Sequence, residues 1–169
     1  METQIIKINK ENLDSIEMDE AGKLIAAGEL VAFPTETVYG LGGDALDPEA
    51  AHKIYAAKGR PSDNPLIVHI AEYEDMYRVG RNIPQQAKLL ADAFWPGPLT
   101  MIVEKSDNVP YATTGGMDTV AVRMPNHPVA LALIRKSGCL IAAPSANTSG
   151  RPSPSKASHV AEDLSGKIA

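Results

Sequence analysis

Short apolar runs alternate along this chain with longer segments that have helical spacing. The runs are Leu30–Phe33, Leu66–Ile70, Leu99–Val103, Thr119–Arg123 and Leu140–Ala143. Each is too short for an ordinary helix and reads as a buried strand. Between them, Asp19 reads as the N-cap of a helix over Glu20–Ala27, with Gly28 as its stop. Pro48 opens a helix that continues over Glu49–Ala57 and ends at Gly59 and Pro61. Pro84–Phe94 reads as a helix broken by Pro96-Gly97-Pro98, and Pro128–Lys136 as one closed by Gly138. Ser155 reads as the cap of a last helix to about Leu164. Gln4–Ile8 alternates weakly, as an edge strand would. This alternation predicts an α/β fold with a mainly covered sheet.

Composition narrows the picture without changing it. The chain has 169 residues, 44% hydrophobic and 22% charged, with a mean hydropathy of −0.14. That suits one domain, expected to span 1–169, and excludes whole-chain disorder, collagen and coiled coil. The lone Cys139 excludes an intrachain disulfide and a multi-cysteine metal site. No apolar run approaches 18 residues, and the start Met1-Glu2-Thr3-Gln4 does not read as a signal peptide, so the expected compartment is cytoplasmic, away from membranes. The net charge is −5, unevenly spread. The first 80 residues carry 7 basic and 15 acidic side chains; the remainder carry 9 and 6. With no Lys/Arg cluster, direct nucleic-acid binding is expected to be weak or absent. A small anion held by a few placed cations fits better.

Prolines and glycines gather in four polar loops, around residues 34–43, 59–65, 96–98 and 144–154. Such loops at strand ends are where α/β proteins place ligands. The first reads PTETVYGLGG and brings Thr35, Glu36 and Thr37 directly after a strand. Its glycines fit a loose dinucleotide pattern, but Pro34–Thr37 separates them from the strand they would have to follow. The second, KGRPSDNP, places Lys58 and Arg60 two apart beyond a helix end, where both can address one anion. His69 lies in the next strand, one residue before its end. Thr119 and Arg123, four apart, share one face of theirs. A buried arginine needs a partner: a substrate carboxylate, Asp118 or Glu36. The fourth loop, APSANTSGRPS, is dense in hydroxyls and amides suited to phosphate or base edges. There is no G-x-x-x-x-G-K-[ST] and no His-Glu-x-x-His.

The runs FPTETVYGLG (Phe33–Gly42), AKGRPSDNPLIVHI (Ala57–Ile70), FWPGPLT (Phe94–Thr100), VAVRMPNHP (Val120–Pro128) and APSANTSGRPSP (Ala143–Pro154) resemble the YrdC-like family. The resemblance implies a twisted mixed sheet flanked by helices, around a cationic ligand cavity. It also implies threonylcarbamoyl-AMP synthase activity, a nucleotidyl transfer in which L-threonine, bicarbonate and ATP give threonylcarbamoyl-adenylate, pyrophosphate and water. The product would pass to a separate transferase that makes the t6A modification of tRNA. Carried over by position, the resemblance assigns Lys58, Arg60, Asn64, Thr119, Ser145, Asn147 and Ser153 to ATP, with Lys58 and Arg60 as the catalytic cations. It assigns Thr35, Thr37, His69, Arg123 and the backbone at Ala143 to threonine. Mg²⁺ is expected with the nucleotide. Family members usually continue beyond the last helix, so the C-terminal end is expected to be short of the norm. Alternatives are a relative that handles carbamoyl-adenylate without threonine, and an RNA-binding module of the same fold.

Overall fold

The computed structural model describes residues 2–169. Helix α1 (Ile16–Ala26) begins behind Ser15, whose hydroxyl accepts the Met18 N–H at 3.2 Å. Asp19, expected as the cap, lies inside the first turn, where a carboxylate still favours the helix N-terminus. Strand β1 (Val31–Phe33) leads through the threonine-rich loop into β2 (Gly40–Asp44). Helix α2 (Pro48–Lys58) is capped by the Asp47 side chain and ends on Gly59 in the left-handed conformation, φ 63°. Strand β3 (Ile67–His69) follows. A 3₁₀ turn (Tyr73–Asp75), α3 (Met76–Val79) and β4 (Gly80–Arg81) make a compact return to α4 (Gln85–Phe94). Then come β5 (Thr100–Lys105), α5 (Tyr111–Thr114), β6 (Thr119–Arg123), α6 (Pro128–Ser137), β7 (Ile141–Ala143) and α7 (Ala157–Leu164).

The strands form one sheet in the order β1-β2-β7-β3-β6-β5-β4. Only β3 and β6 run parallel; every other neighbouring pair is antiparallel, so the sheet is mixed. Residues in register share a face. One face presents Leu41, Ala142, Val68, Val120, Val122, Met101 and Val103, all buried and packed with apolar residues of α2, α3, α4 and α7. The other face divides. Over β1, β2 and β7 it is covered by α1 and α6 through Met18, Ile25, Val129, Leu133, Phe33 and Ile141. Over β3, β6 and β5 it is uncovered: Ile67, Thr119, Ala121 and Thr100 are half-buried, and Ile102 is 70% exposed. The sheet is thus mainly covered, as expected, and open over one part of one face.

Three further expectations change. Gln4–Ile8 joins no ladder; Gln4 N–H instead donates to the Ala169 carbonyl at 3.1 Å. Ser155 does not cap α7, which starts after Lys156 without a side-chain cap. The glycines after Tyr39 are a strand, not a loop. A Cβ on Gly42 would sit 2.5 Å from the Ile141 side chain and 2.7 Å from the Phe33 ring. The bare strand lets those two large side chains close over it.

Candidate active site

The uncovered face has two ends. The register sets Ile67 beside Ala143 and His69 beside both Ile141 and Arg123. The end of β7 therefore lies at the start of β3, and His69 stands two residues further along, roughly 7 Å by strand rise.

The first end is built around Lys58. Its side chain is 1% exposed, at the last turn of α2. The ammonium donates to the Ser145 carbonyl, to the Asn147 carbonyl at 2.6 Å and to Asn147 Oδ1 at 3.4 Å. Ser145 Oγ donates to the same Asn147 oxygen. The Asn147 amide then donates to the carbonyls of Thr148 and Arg151 at 2.8 and 2.9 Å. The lysine charge thus sits beneath the loop that follows β7 and fixes its bend. Burial pulls the Lys58 pKa down to about 8, Arg60 pulls the same way, and Asp163 opposes them. Arg60 donates from Nη2 to the Pro65 carbonyl at 3.1 Å, and its buried Nε has no partner among the described residues. A buried guanidinium N–H without an acceptor is a donor in want of an anion. Thr119 opens β6 at this same end, half-buried. Asn64 is exposed in the loop after α2, its carbonyl accepting from Tyr55 OH at 3.0 Å. Ser153 is exposed on the returning limb of the β7 loop.

The second end is built around Arg123. Its Nε donates to the Gly97 carbonyl at 3.1 Å, and Nη1 lies 3.4 Å from Thr37 Oγ1. Nη2 pairs with Glu36, whose other oxygen accepts the Asn126 N–H at 2.7 Å. Of the two protein partners considered for this arginine, Glu36 is the one found; Asp118 instead accepts from Tyr111 OH at 2.7 Å. Thr35 Oγ1 donates to the Val38 carbonyl at 2.6 Å and lies 3.0 Å from Thr37 Oγ1. His69 is 4% exposed, its Nδ1 3.0 Å from the Ile67 carbonyl and its ring edge-on to Phe33. The Ile67 carbonyl can only accept, so Nδ1 donates in that bond, and the Ile141 carbonyl also faces the ring. Burial, with Arg123 adding to it, lowers the His69 pKa to about 4, so the ring is neutral at pH 7.

Backbone bonds tie the two ends together. Tyr39 donates to Pro154 and accepts from Ala146, both at 2.8 Å, and Leu41 donates to Pro144 at 2.9 Å. The structure places Lys58, Arg60, Thr119, Ser145 and Asn147 toward one end of the face and Thr35, Thr37, His69 and Arg123 toward the other; Ala143, expected beside threonine, lies at the first end, and Asn64 and Ser153 stand exposed in the flanking loops. Sequence reasoning passed over Asp163, which reaches the β7 loop from α7, and the Gly97 carbonyl. A groove of about 730 Å³ between residues 3–10, β1 and α7 meets this arrangement at Phe33, Thr35, Thr37 and Tyr39.

No described helix is long and apolar enough to cross a membrane. A half-open mixed sheet, with a cation-centred loop at one end and a guanidinium and imidazole at the other, defines an α/β domain with placed cations at both ends of one open face. The Sua5/YciO/YrdC family model, described as telomere recombination, matches residues 23–169, and the chain belongs to that family. It is 56% identical over 166 residues to the threonylcarbamoyl-AMP synthase of Pyrococcus abyssi, covering 98% of this chain and 48% of that one. It is 58% identical over 151 residues to the enzyme of the same name from Bacillus subtilis, covering 89% and 44%. The crystal structure of P. abyssi Sua5 complexed with L-threonine superposes with a TM-score of 0.90 at 55% identity, over 96% of this chain and 46% of that one. The chain spans about half the length of these relatives.

Proposed function

We propose that this domain carries out threonylcarbamoyl-AMP synthesis. The observation that carries the reading is the placement of Lys58, Arg60, Ser145 and Asn147 on one end of an open sheet face that bears His69 and Arg123 at its other end. The relatives named for this activity, and the one bound to L-threonine, support it.

The chemistry needs two bonds. The threonine amine attacks the carbon of bicarbonate, or of CO₂ derived from it, and a carbamate forms with loss of water. A carbamate oxygen then attacks the α-phosphorus of ATP, and the bond to the pyrophosphate oxygen breaks. Neither step needs a covalent enzyme intermediate; both need alignment and neutralised charge. Arg60 brings its guanidinium to a phosphate oxygen. Lys58 acts mainly through its field and through the loop it holds, because its donors already have protein acceptors. The Ser145–Asn147 segment offers the nucleotide a preformed bend. Arg123 retains N–H groups for the threonine carboxylate, and Thr35, Thr37 and His69 edge the same pocket. Mg²⁺ enters as part of the nucleotide. The donors at the phosphate end are cationic or neutral, and among the described residues no three His, Cys, Asp or Glu side chains converge, so this end does not fit a protein-held divalent ion. In the cell this reading makes the domain a cytoplasmic supplier of an adenylate to a tRNA-modifying transferase.

The deciding assay is pyrophosphate release from ATP with bicarbonate and Mg²⁺, with and without L-threonine. Threonine-dependent release, with a new adenylate detected by mass, is expected. Release that ignores threonine would point to a carbamoyl-adenylate chemistry instead.

A further inference from the structure

Helix α7 lies outside every motif that singled out the site, yet it places a carboxylate against the β7 loop. Asp163 is 9% exposed. One of its oxygens accepts the Thr148 N–H at 3.0 Å, and the other pairs with Arg151 Nη1 at 3.1 Å. Thr148 and Arg151 are the two residues whose carbonyls the Asn147 amide holds. Asn147 in turn accepts from Lys58 twice. The chain Asp163, Thr148 and Arg151, Asn147, Lys58 is continuous, and all but Arg151 is buried or half-buried. A buried carboxylate with a charged partner and a backbone N–H is too costly to place by accident of packing.

We propose that Asp163 is a positioning residue for the phosphate end: it fixes the bend of residues 144–151 and, through Asn147, the seat of the Lys58 ammonium. The proposal rests on reading that loop as the nucleotide's. Charge bears on Lys58 from two directions. Arg60, just past its own helix, opposes protonation, and Asp163, across the loop on α7, favours it. Arg151 neutralises part of Asp163 while remaining 59% exposed at its side chain. Asp163 touches no reacting atom; it acts through Asn147 and Lys58.

Two variants separate this role from simple support of the fold. In Asp163→Asn the shape persists but the charge is lost. In Arg151→Ala the carboxylate keeps its charge and loses its neutraliser. The first readout is the titration of the Lys58 Cε resonance in ¹³C-lysine-labelled protein, assigned by its absence in Lys58→Arg. Asp163→Asn is expected to move the Lys58 midpoint to lower pH, and Arg151→Ala to move it to higher pH. The midpoints report the charge alone; the positioning role is read from kcat/KM for ATP, which a carboxylate outside the loop's support would leave at the wild-type value in Asp163→Asn. That wild-type value would overturn the proposal. In the pyrophosphate assay Asp163→Asn is expected to lower kcat/KM for ATP about tenfold or more, with KM for threonine little changed. If wild-type protein shows no threonine-dependent release, the synthase reading falls, and the role of Asp163 at the phosphate end falls with it; the lysine titration still shows whether its charge reaches Lys58. Should Asp163→Asn fail to fold, Asp163→Glu, which keeps the charge and displaces the carboxylate, carries the test: a fall in kcat/KM for ATP is expected, and wild-type values would overturn the proposal.

Discussion

The Glu36 carboxylate closes on the Arg123 guanidinium, joining the loop after β1 to the end of β6 across 87 residues of sequence. The same carboxylate holds the Asn126 N–H, so it pins the start of the segment that follows β6 as well. Under the proposed reading, Arg123 meets the substrate with part of its fork already engaged by a protein carboxylate. Replacing Glu36 by Gln keeps the shape and removes the charge. The expected result is a rise of about tenfold in KM for threonine with a smaller change in KM for ATP, and a stability loss of about 1–2 kcal/mol in urea denaturation. A variant with wild-type threonine kinetics would show that the pair is structural only.

Arg60 is the cation with a donor to spare. Arg60→Ala is expected to reduce turnover about a hundredfold, roughly 3 kcal/mol of barrier, without altering the circular dichroism spectrum. Arg60→Lys is expected to recover little, because an ammonium cannot replace a planar donor fork. Near-normal rates in either variant would remove Arg60 from the machinery.

His69 makes stability depend on acid. Its pKa is about 4 in the folded chain against an ordinary 6.5, so the unfolded chain binds the extra proton first. Its contribution is complete above pH 6.5 and fades as the pH falls through that window towards 4. The loss is about 3 kcal/mol at the acid end. Denaturation curves at pH 7 and pH 4.5, compared with those of His69→Gln, test this; the variant is expected to lose less stability on acidification than the parent.

Gly42 is expected to tolerate no side chain. Gly42→Ala drives a methyl into Ile141 and Phe33, in a strand that pairs on both sides. A loss of about 1–3 kcal/mol is expected, read from the urea midpoint. Because Phe33 also abuts His69, the variant is expected to perturb the His69 ring resonances, whereas Gly116→Ala, with open space around it, leaves them unchanged.

Much of this architecture was legible beforehand, for identifiable reasons. Pro48 and Gly59 bracket α2, and Pro128 and Gly138 bracket α6, because these residues act through their own backbone geometry. Thr119–Arg123 was readable as a strand because period-two spacing survives where one face is open. β2 was hidden: Gly40–Asp44 has no apolar alternation, and its identity as a strand comes from the side chains that lie over it. α5, with its four residues, carries too little periodicity to register. At the site, single-strand spacing could place Arg123 and Thr119 together and local spacing could pair Lys58 with Arg60. Spacing could not say that Glu36 rather than Asp118 meets Arg123, nor that Asp163 reaches Thr148. Those contacts depend on how distant elements pack, which no local pattern encodes.

Tyr39, bonded to both Ala146 and Pro154, joins the two rims of the open face. A ligand that stills one rim lowers the entropy the other has left to lose. Threonine and nucleotide would then strengthen one another's binding by equal factors without touching, because such linkage is reciprocal. The order in which the substrates arrive would alter the path and leave the final affinity unchanged.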